Sequence, residues 1–94
     1  MAPKTILVIE DEKDIYTLIE YNLQIAGFQV IQATDGEDGL LFAVENGPDL
    51  ILLDWMLPLL SGIEVLRQLR SRSETREIPV IMLTAKGEET DRLR

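Results

Sequence analysis

The spacing of short apolar runs constrains this chain more than any other feature. Thr5 to Glu10 (TILVIE), Leu50 to Asp54 (LILLD) and Ile78 to Thr84 (IPVIMLT) are rich in β-branched residues and Leu and are bounded by acids or Pro. Runs of that length and composition read as strands covered on both faces. Phe28 to Ala33 (FQVIQA) alternates like a further strand, followed by a Thr34-Asp35-Gly36 turn. Helical patterns fill the gaps. Between the first two strands, Lys13 to Ala26 carries Ile15, Leu18, Ile19 and Ala26 at three- and four-residue steps, acids in its first turn and Gly27 at its end. Leu40, Leu41, Ala43 and Val44 predict a second helix ending at Asn46-Gly47-Pro48. Val65, Leu66 and Leu69 predict a third after the Ser61-Gly62 turn, with Arg67, Arg70 and Arg72 near its end. Gly87 to Arg94 starts a charged fourth helix. Strands alternating with helices in this way specify an α/β domain, a parallel sheet with helices on both faces.

Composition removes several kinds of chemistry. The 94 residues suffice for one domain with a small core, and neither a linker nor a repeat divides them. The absence of Cys excludes disulfides, thiolate metal sites and cysteine nucleophiles. Without His, the chain lacks the commonest general base and transition-metal ligand, so carboxylates and hydroxyls carry the available chemistry. Nine basic residues against 17 acidic ones give a net charge of -8, which opposes direct nucleic-acid binding by this segment. No run is long enough to span a membrane, and the amino-terminal apolar run is too short for a signal peptide, so a cytoplasmic location is expected.

The polar residues at the strand ends carry the functional signal. The first strand ends in Glu10-Asp11-Glu12, the third in Asp54 and the fourth in Thr84-Ala85. In a parallel sheet all of these lie on the carboxyl edge, where open α/β sheets bind ligands. Each has an ordinary explanation: the acids favour a helix N-terminus, Asp54 suits a turn before Pro58, and Thr84 suits a strand-end cap. Their coincidence on one edge favours a shared site. Neighbouring parallel strands are about 4.8 Å apart, so carboxylates at adjacent ends repel unless a cation lies between them. Mg2+ suits such a set, because it prefers hard oxygen ligands and keeps waters that phosphoryl oxygens can replace. Asp54 could then attack a phosphoryl donor, with the metal and the Thr84 hydroxyl holding the equatorial oxygens.

Three blocks, "ILVIEDE", "DLILLDWMLPLLSG" and "IPVIMLTAKGEETDRLR", resemble in content and order the receiver domain of two-component response regulators, particularly those of the OmpR type. The resemblance spans nearly the whole chain and is weakest from Arg70 to Glu77. It implies a flavodoxin-like (CheY-like) doubly wound parallel sheet with strand order 2-1-3-4. It also implies Asp54 as phosphoacceptor and a Mg2+ site built from Asp11, Asp54, the Met56 backbone carbonyl and, through water, Glu10. Thr84 becomes the switch hydroxyl, and the backbones of Trp55 and Ala85 help bind the phosphoryl group. Met56 and Lys86 are expected to tune its lifetime, although Lys86 equally suits a solvated loop.

The family pattern continues beyond Arg94 to a fifth strand, a Lys-Pro pair and a fifth helix. Residues 1–94 are therefore expected to form a single, C-terminally incomplete receiver domain. The fourth strand would be an exposed edge, predicting either a piece of a longer chain or completion by a partner, as a homodimer or strand-exchanged dimer. The reading is a signalling switch rather than an enzyme, phosphorylated by a sensor histidine kinase and controlling an output, with transcription expected. The alternative is a phosphorylation-independent interaction module on the same fold. A metal-dependent phosphatase is disfavoured because Met56 stands where a second acid is needed, and no Gly-rich phosphate loop supports nucleotide binding.

Overall fold

The computed structural model describes residues 2–83. They form β1 (Thr5–Ile9), α1 (Lys13–Ile25), β2 (Gln29–Ala33), α2 (Gly36–Asn46), β3 (Leu50–Asp54), α3 (Gly62–Ser71) and β4 (Val80–Leu83). The strands are all parallel and lie in the order β2-β1-β3-β4. The chain thus winds one way from β1 to β2 and the other way from β3 to β4, and the direction changes between β1 and β3. That switch point is where open α/β sheets leave a crevice at the strand ends.

Alternation along each strand divides the sheet into two cores. Leu7, Ile9, Ile51 and Leu53 point to one face, where Leu40 and Ala43 of α2 and Val65 and Leu69 of α3 cover them. Ile6 and Val8 point to the other, beneath Tyr16 of α1, with Ile19, Leu23, Leu50 and Leu52 packed around them. Full burial of each large aliphatic side chain contributes about 1.5–3 kcal/mol. The helices also carry local start and stop signals. Asp35 accepts a hydrogen bond from the Asp38 N–H at the start of α2, and Ser61 accepts one from the Glu64 N–H at the start of α3. At the end of α2, Gly47 adopts φ 54° and its N–H reaches the Ala43 carbonyl, a left-handed stop that glycine adopts without a Cβ clash.

The stripe of α1 and the start of β4 differ from the sequence expectation, whereas α2 forms where its apolar residues predict it. In α1 the sheet-facing stripe is Tyr16, Ile19 and Leu23, whereas Leu18 is 64% exposed. The apolar residues of this helix fit two neighbouring stripes, and Tyr16 can be buried because its hydroxyl donates to Glu20. In α2, Leu40 and Ala43 are buried while Leu41 and Val44 are exposed. β4 begins at Val80 rather than Ile78, because the Ile78 N–H is spent on the Thr75 carbonyl and Pro79 has no N–H to give. The preceding connection is held by side chains: Arg70 donates to the carbonyls of Arg76 and Ile78, and the buried Thr75 hydroxyl donates to the Leu69 carbonyl. On the α1 face, Ile81 of β4 pairs with Leu52 yet is 52% exposed. The expected fourth helix, Gly87 to Arg94, lies outside the described residues.

Candidate functional site

Glu10 follows the last residue of β1 and Asp54 ends β3, so parallel pairing of these central strands brings the two carboxyls together at the switch point. The strand ends are themselves tied in: the Glu10 N–H donates to the Ala33 carbonyl and the Trp55 N–H to the Leu83 carbonyl. Asp11, one residue beyond Glu10, completes a triad in which one carboxylate oxygen from each residue lies within 4.8 Å of the others. Glu10 and Asp54 are buried, at 2% and 4% exposure, whereas Asp11 is exposed. The cluster is closed toward the sheet and open toward solvent.

Burial and mutual repulsion make these acids unusual. Desolvation pushes the Glu10 carboxyl from 4.5 up to about 7, and the neighbouring Asp54 and Asp11 charges push the same way. The Glu12 N–H, 3.0 Å from a Glu10 oxygen, opposes the shift. Desolvation likewise raises Asp54, but N–H groups of Met56 and Trp55 and a hydrogen bond from the Glu10 carboxyl favour its ionised form. The hydrogen bond between them favours the protonated form of Glu10 and the ionised form of Asp54.

The connection from β3 to α3 shapes the rim. The Met56 N–H donates to Asp54 Oδ1 at 3.3 Å, so Asp54 does make the local turn contact that its sequence position also suits. Met56 itself is 62% exposed, and Trp55 is half-buried. The loop closes where the Gly62 N–H meets the Trp55 carbonyl at 3.0 Å. A Cβ at Gly62 would fall 2.4 Å from the Asp54 carbonyl oxygen and 2.9 Å from that of Trp55. Only glycine permits this approach. The Ser61-Gly62 pair signals a turn in the sequence, but its pressure against the Asp54 backbone is legible only in three dimensions.

Of the site residues expected from sequence, Glu10, Asp11 and Asp54 converge, and Trp55 and Met56 line the same loop. Thr84, Ala85 and Lys86 lie outside the described residues. The donor set fits Mg2+: three hard carboxylates, two of them buried in a cluster whose repulsion a divalent cation relieves. Two concavities lie elsewhere, a groove of about 400 Å³ between α2 and α3 lined by Leu41, Val44 and Arg72, and one of about 490 Å³ beside Phe28 and Val30. Neither includes the triad.

A doubly wound parallel sheet with an acid triad at its switch point is the arrangement of a candidate cation site in a small α/β domain. Residues 6–94 match the response regulator receiver domain family, and the chain belongs to that family. It is 50% identical over its full length to the phosphate regulon transcriptional regulatory protein PhoB of Rhizobium meliloti (strain 1021), covering 41% of that protein. It is 52% identical over 96% of its length to the alkaline phosphatase synthesis transcriptional regulatory protein PhoP of Bacillus subtilis (strain 168), covering 37%. The chain thus spans less than half the length of these curated relatives. Among solved structures it resembles the receiver domain of the sensor histidine kinase PA1611 from Pseudomonas aeruginosa PAO1, which has a magnesium ion coordinated in its active site cleft. The TM-score is 0.89 and the identity 34%, over 99% of this chain and 76% of the other. The chain is accordingly a two-component receiver of the type found in transcriptional regulators. No helix among the described residues is long and apolar enough to cross a membrane.

Proposed function

We propose that this chain accepts a phosphoryl group on Asp54 from a phosphohistidine of a sensor histidine kinase and passes the change on to a transcriptional output in the cytoplasm. The observation that carries this reading is the convergence of Glu10, Asp11 and Asp54 at the switch point. Asp11, Asp54 and the Met56 carbonyl would hold Mg2+, with Glu10 acting through water. Bound Mg2+ supplies positive charge against the carboxylates and the phosphoryl oxygens.

The chain's own residues perform the transfer. An ionised Asp54 oxygen attacks phosphorus as the phosphorus–nitrogen bond to the donor imidazole breaks, and the product is an acyl phosphate on Asp54 with the electron pair left on the imidazole. The Met56 N–H, which now favours the Asp54 charge, would stabilise charge on the modified group, with the Trp55 backbone beside it. The Thr84 hydroxyl and Ala85 backbone take the remaining phosphoryl oxygens, and Met56 and Lys86 govern water access and hence lifetime. Residues 1–94 act as one receiver unit, with the outer edge of β4 paired by a further strand of a longer chain or of a second copy. The net charge of -8 opposes direct DNA contact by this segment.

Incubation with a small acyl phosphate donor, followed by intact mass, tests the reading. The protein is expected to gain one phosphoryl group with Mg2+ present, and to gain none with EDTA or in Asp54→Asn. Equal labelling of Asp54→Asn would overturn it. A folded protein that takes no label would favour the phosphorylation-independent interaction module.

A further inference from the structure

Among the described residues, Leu59 alone of the non-glycines has a positive φ, at 71°. It stands in the centre of a turn in which the Leu60 N–H reaches back to the Pro58 carbonyl at 2.7 Å. An i to i+2 hydrogen bond around a positive φ defines the strained form of the γ-turn, which a residue bearing Cβ occupies at a cost. Nothing local offsets that cost, because the Leu59 side chain is 75% exposed. The strain is imposed from both sides. Leu57 and Leu60 pack against the core under α2 and α3, Pro58 fixes its own φ, Ser61 caps α3, and Gly62 is pressed against the backbone of Asp54 and Trp55. A loop anchored at both ends leaves Leu59 to absorb the misfit.

What this loop presses upon is the site. Its first residues are Trp55 and Met56, and the Met56 N–H spans only 3.3 Å to Asp54 Oδ1. In the proposed function, the Met56 carbonyl and the Asp54 oxygens would hold Mg2+, which would draw on the same carboxylate that the Met56 N–H now contacts. We propose that Leu59 is a positioning residue: its γ-turn holds strain in the metal-free site that is released when Mg2+ draws on Asp54 and Met56. By linkage, whatever raises the metal-free state relative to the loaded one tightens metal binding by the same factor. The inference rests on the reading of the acid triad as a Mg2+ site.

Three substitutions separate strain from side-chain contact. Leu59→Ala keeps a Cβ and therefore the strain. Leu59→Gly removes it, and Leu59→Asn lessens it, since Asn tolerates positive φ. Mg2+ affinity is read from Trp55 fluorescence, and metal-free stability from urea unfolding in EDTA. Leu59→Ala should bind Mg2+ as the parent does, Leu59→Gly should bind about fivefold to tenfold more weakly, and Leu59→Asn should fall between, as expected for relief of one strained backbone position. In EDTA, Leu59→Asn should unfold at higher urea than Leu59→Ala. Unchanged affinity in Leu59→Gly, or equal weakening in Leu59→Ala and Leu59→Gly, would overturn the role of strain. Failure of the parent protein to bind Mg2+ at all would instead overturn the metal-site reading beneath it.

Discussion

Without metal, the acid triad should make the protein less stable as pH rises, and Mg2+ should abolish that loss. Glu10 governs this dependence, because burial raises its carboxyl from 4.5 to about 7 in the fold. A folded-state value above the unfolded one means that the native state binds more protons between the two, so stability declines with pH across that window. The penalty is absent below about pH 4.5, grows until about pH 7 and is constant above it. At about 1.4 kcal/mol per decade, full ionisation of Glu10 would cost on the order of 3 kcal/mol. Water reaching the open side, where Asp11 is exposed, reduces this to about 2 kcal/mol. The assay is urea unfolding at several pH values in EDTA, with the slope taken as the difference between the protein and Glu10→Gln, which cancels acids elsewhere. Asp54→Asn should be more stable than the parent in EDTA at pH 8 by about 1 kcal/mol, since it removes a charge beside Glu10 while keeping an acceptor for the Met56 N–H. Saturating Mg2+ should flatten the parent's profile and reverse the order of the two. A parent whose stability relative to Glu10→Gln is constant or rises between pH 5 and 8 in EDTA would refute the argument.

Gly62→Ala should lower stability by about 1–3 kcal/mol and weaken Mg2+ binding together, because the new Cβ meets backbone atoms of Asp54 and Trp55 that cannot move without displacing the site; urea unfolding and Trp55 fluorescence check both. Leu69→Ala, in the fully buried α3 face, should cost about 2–5 kcal/mol through the cavity it leaves while Mg2+ affinity at low temperature stays within twofold, roughly, of the parent. Ser61→Ala removes the acceptor for the Glu64 N–H at the start of α3 and should cost about 1 kcal/mol in thermal or urea unfolding.

The elements and the acids were legible in the sequence for a common reason. β-branched runs and glycine stops report local physics, and the acids stood out because Glu10, Asp11 and Asp54 fall together at one sheet edge although each alone has an ordinary explanation. Glu10 and Asp54 could be set on one edge from strand direction alone. The stripe of α1 was less legible, since Ile15, Leu18, Tyr16 and Ile19 offer two overlapping faces, and the one that meets the sheet carries Tyr16, whose hydroxyl is satisfied by Glu20 one turn along the same helix. The connection after α3 carries no strong pattern, because Arg70 and Thr75 organise it through hydrogen bonds to carbonyls at least six residues away in the chain. Leu59 shows the limit most plainly: nothing in Pro58-Leu59-Leu60 announces a positive φ, which arises only when both ends of the loop are anchored.

Asp54, set at the switch point by β3 beside Glu10 and Asp11, is in the proposed function a Mg2+-dependent phosphoacceptor. Its most direct test is to treat the protein with an acyl phosphate donor and Mg2+, trap the product by borohydride reduction, and map the modified residue by peptide sequencing. Reduction is expected at Asp54 alone, from an acyl phosphate there, and at no residue when Mg2+ is chelated. Labelling at another acid, or labelling of Asp54 that is indifferent to Mg2+, would contradict it.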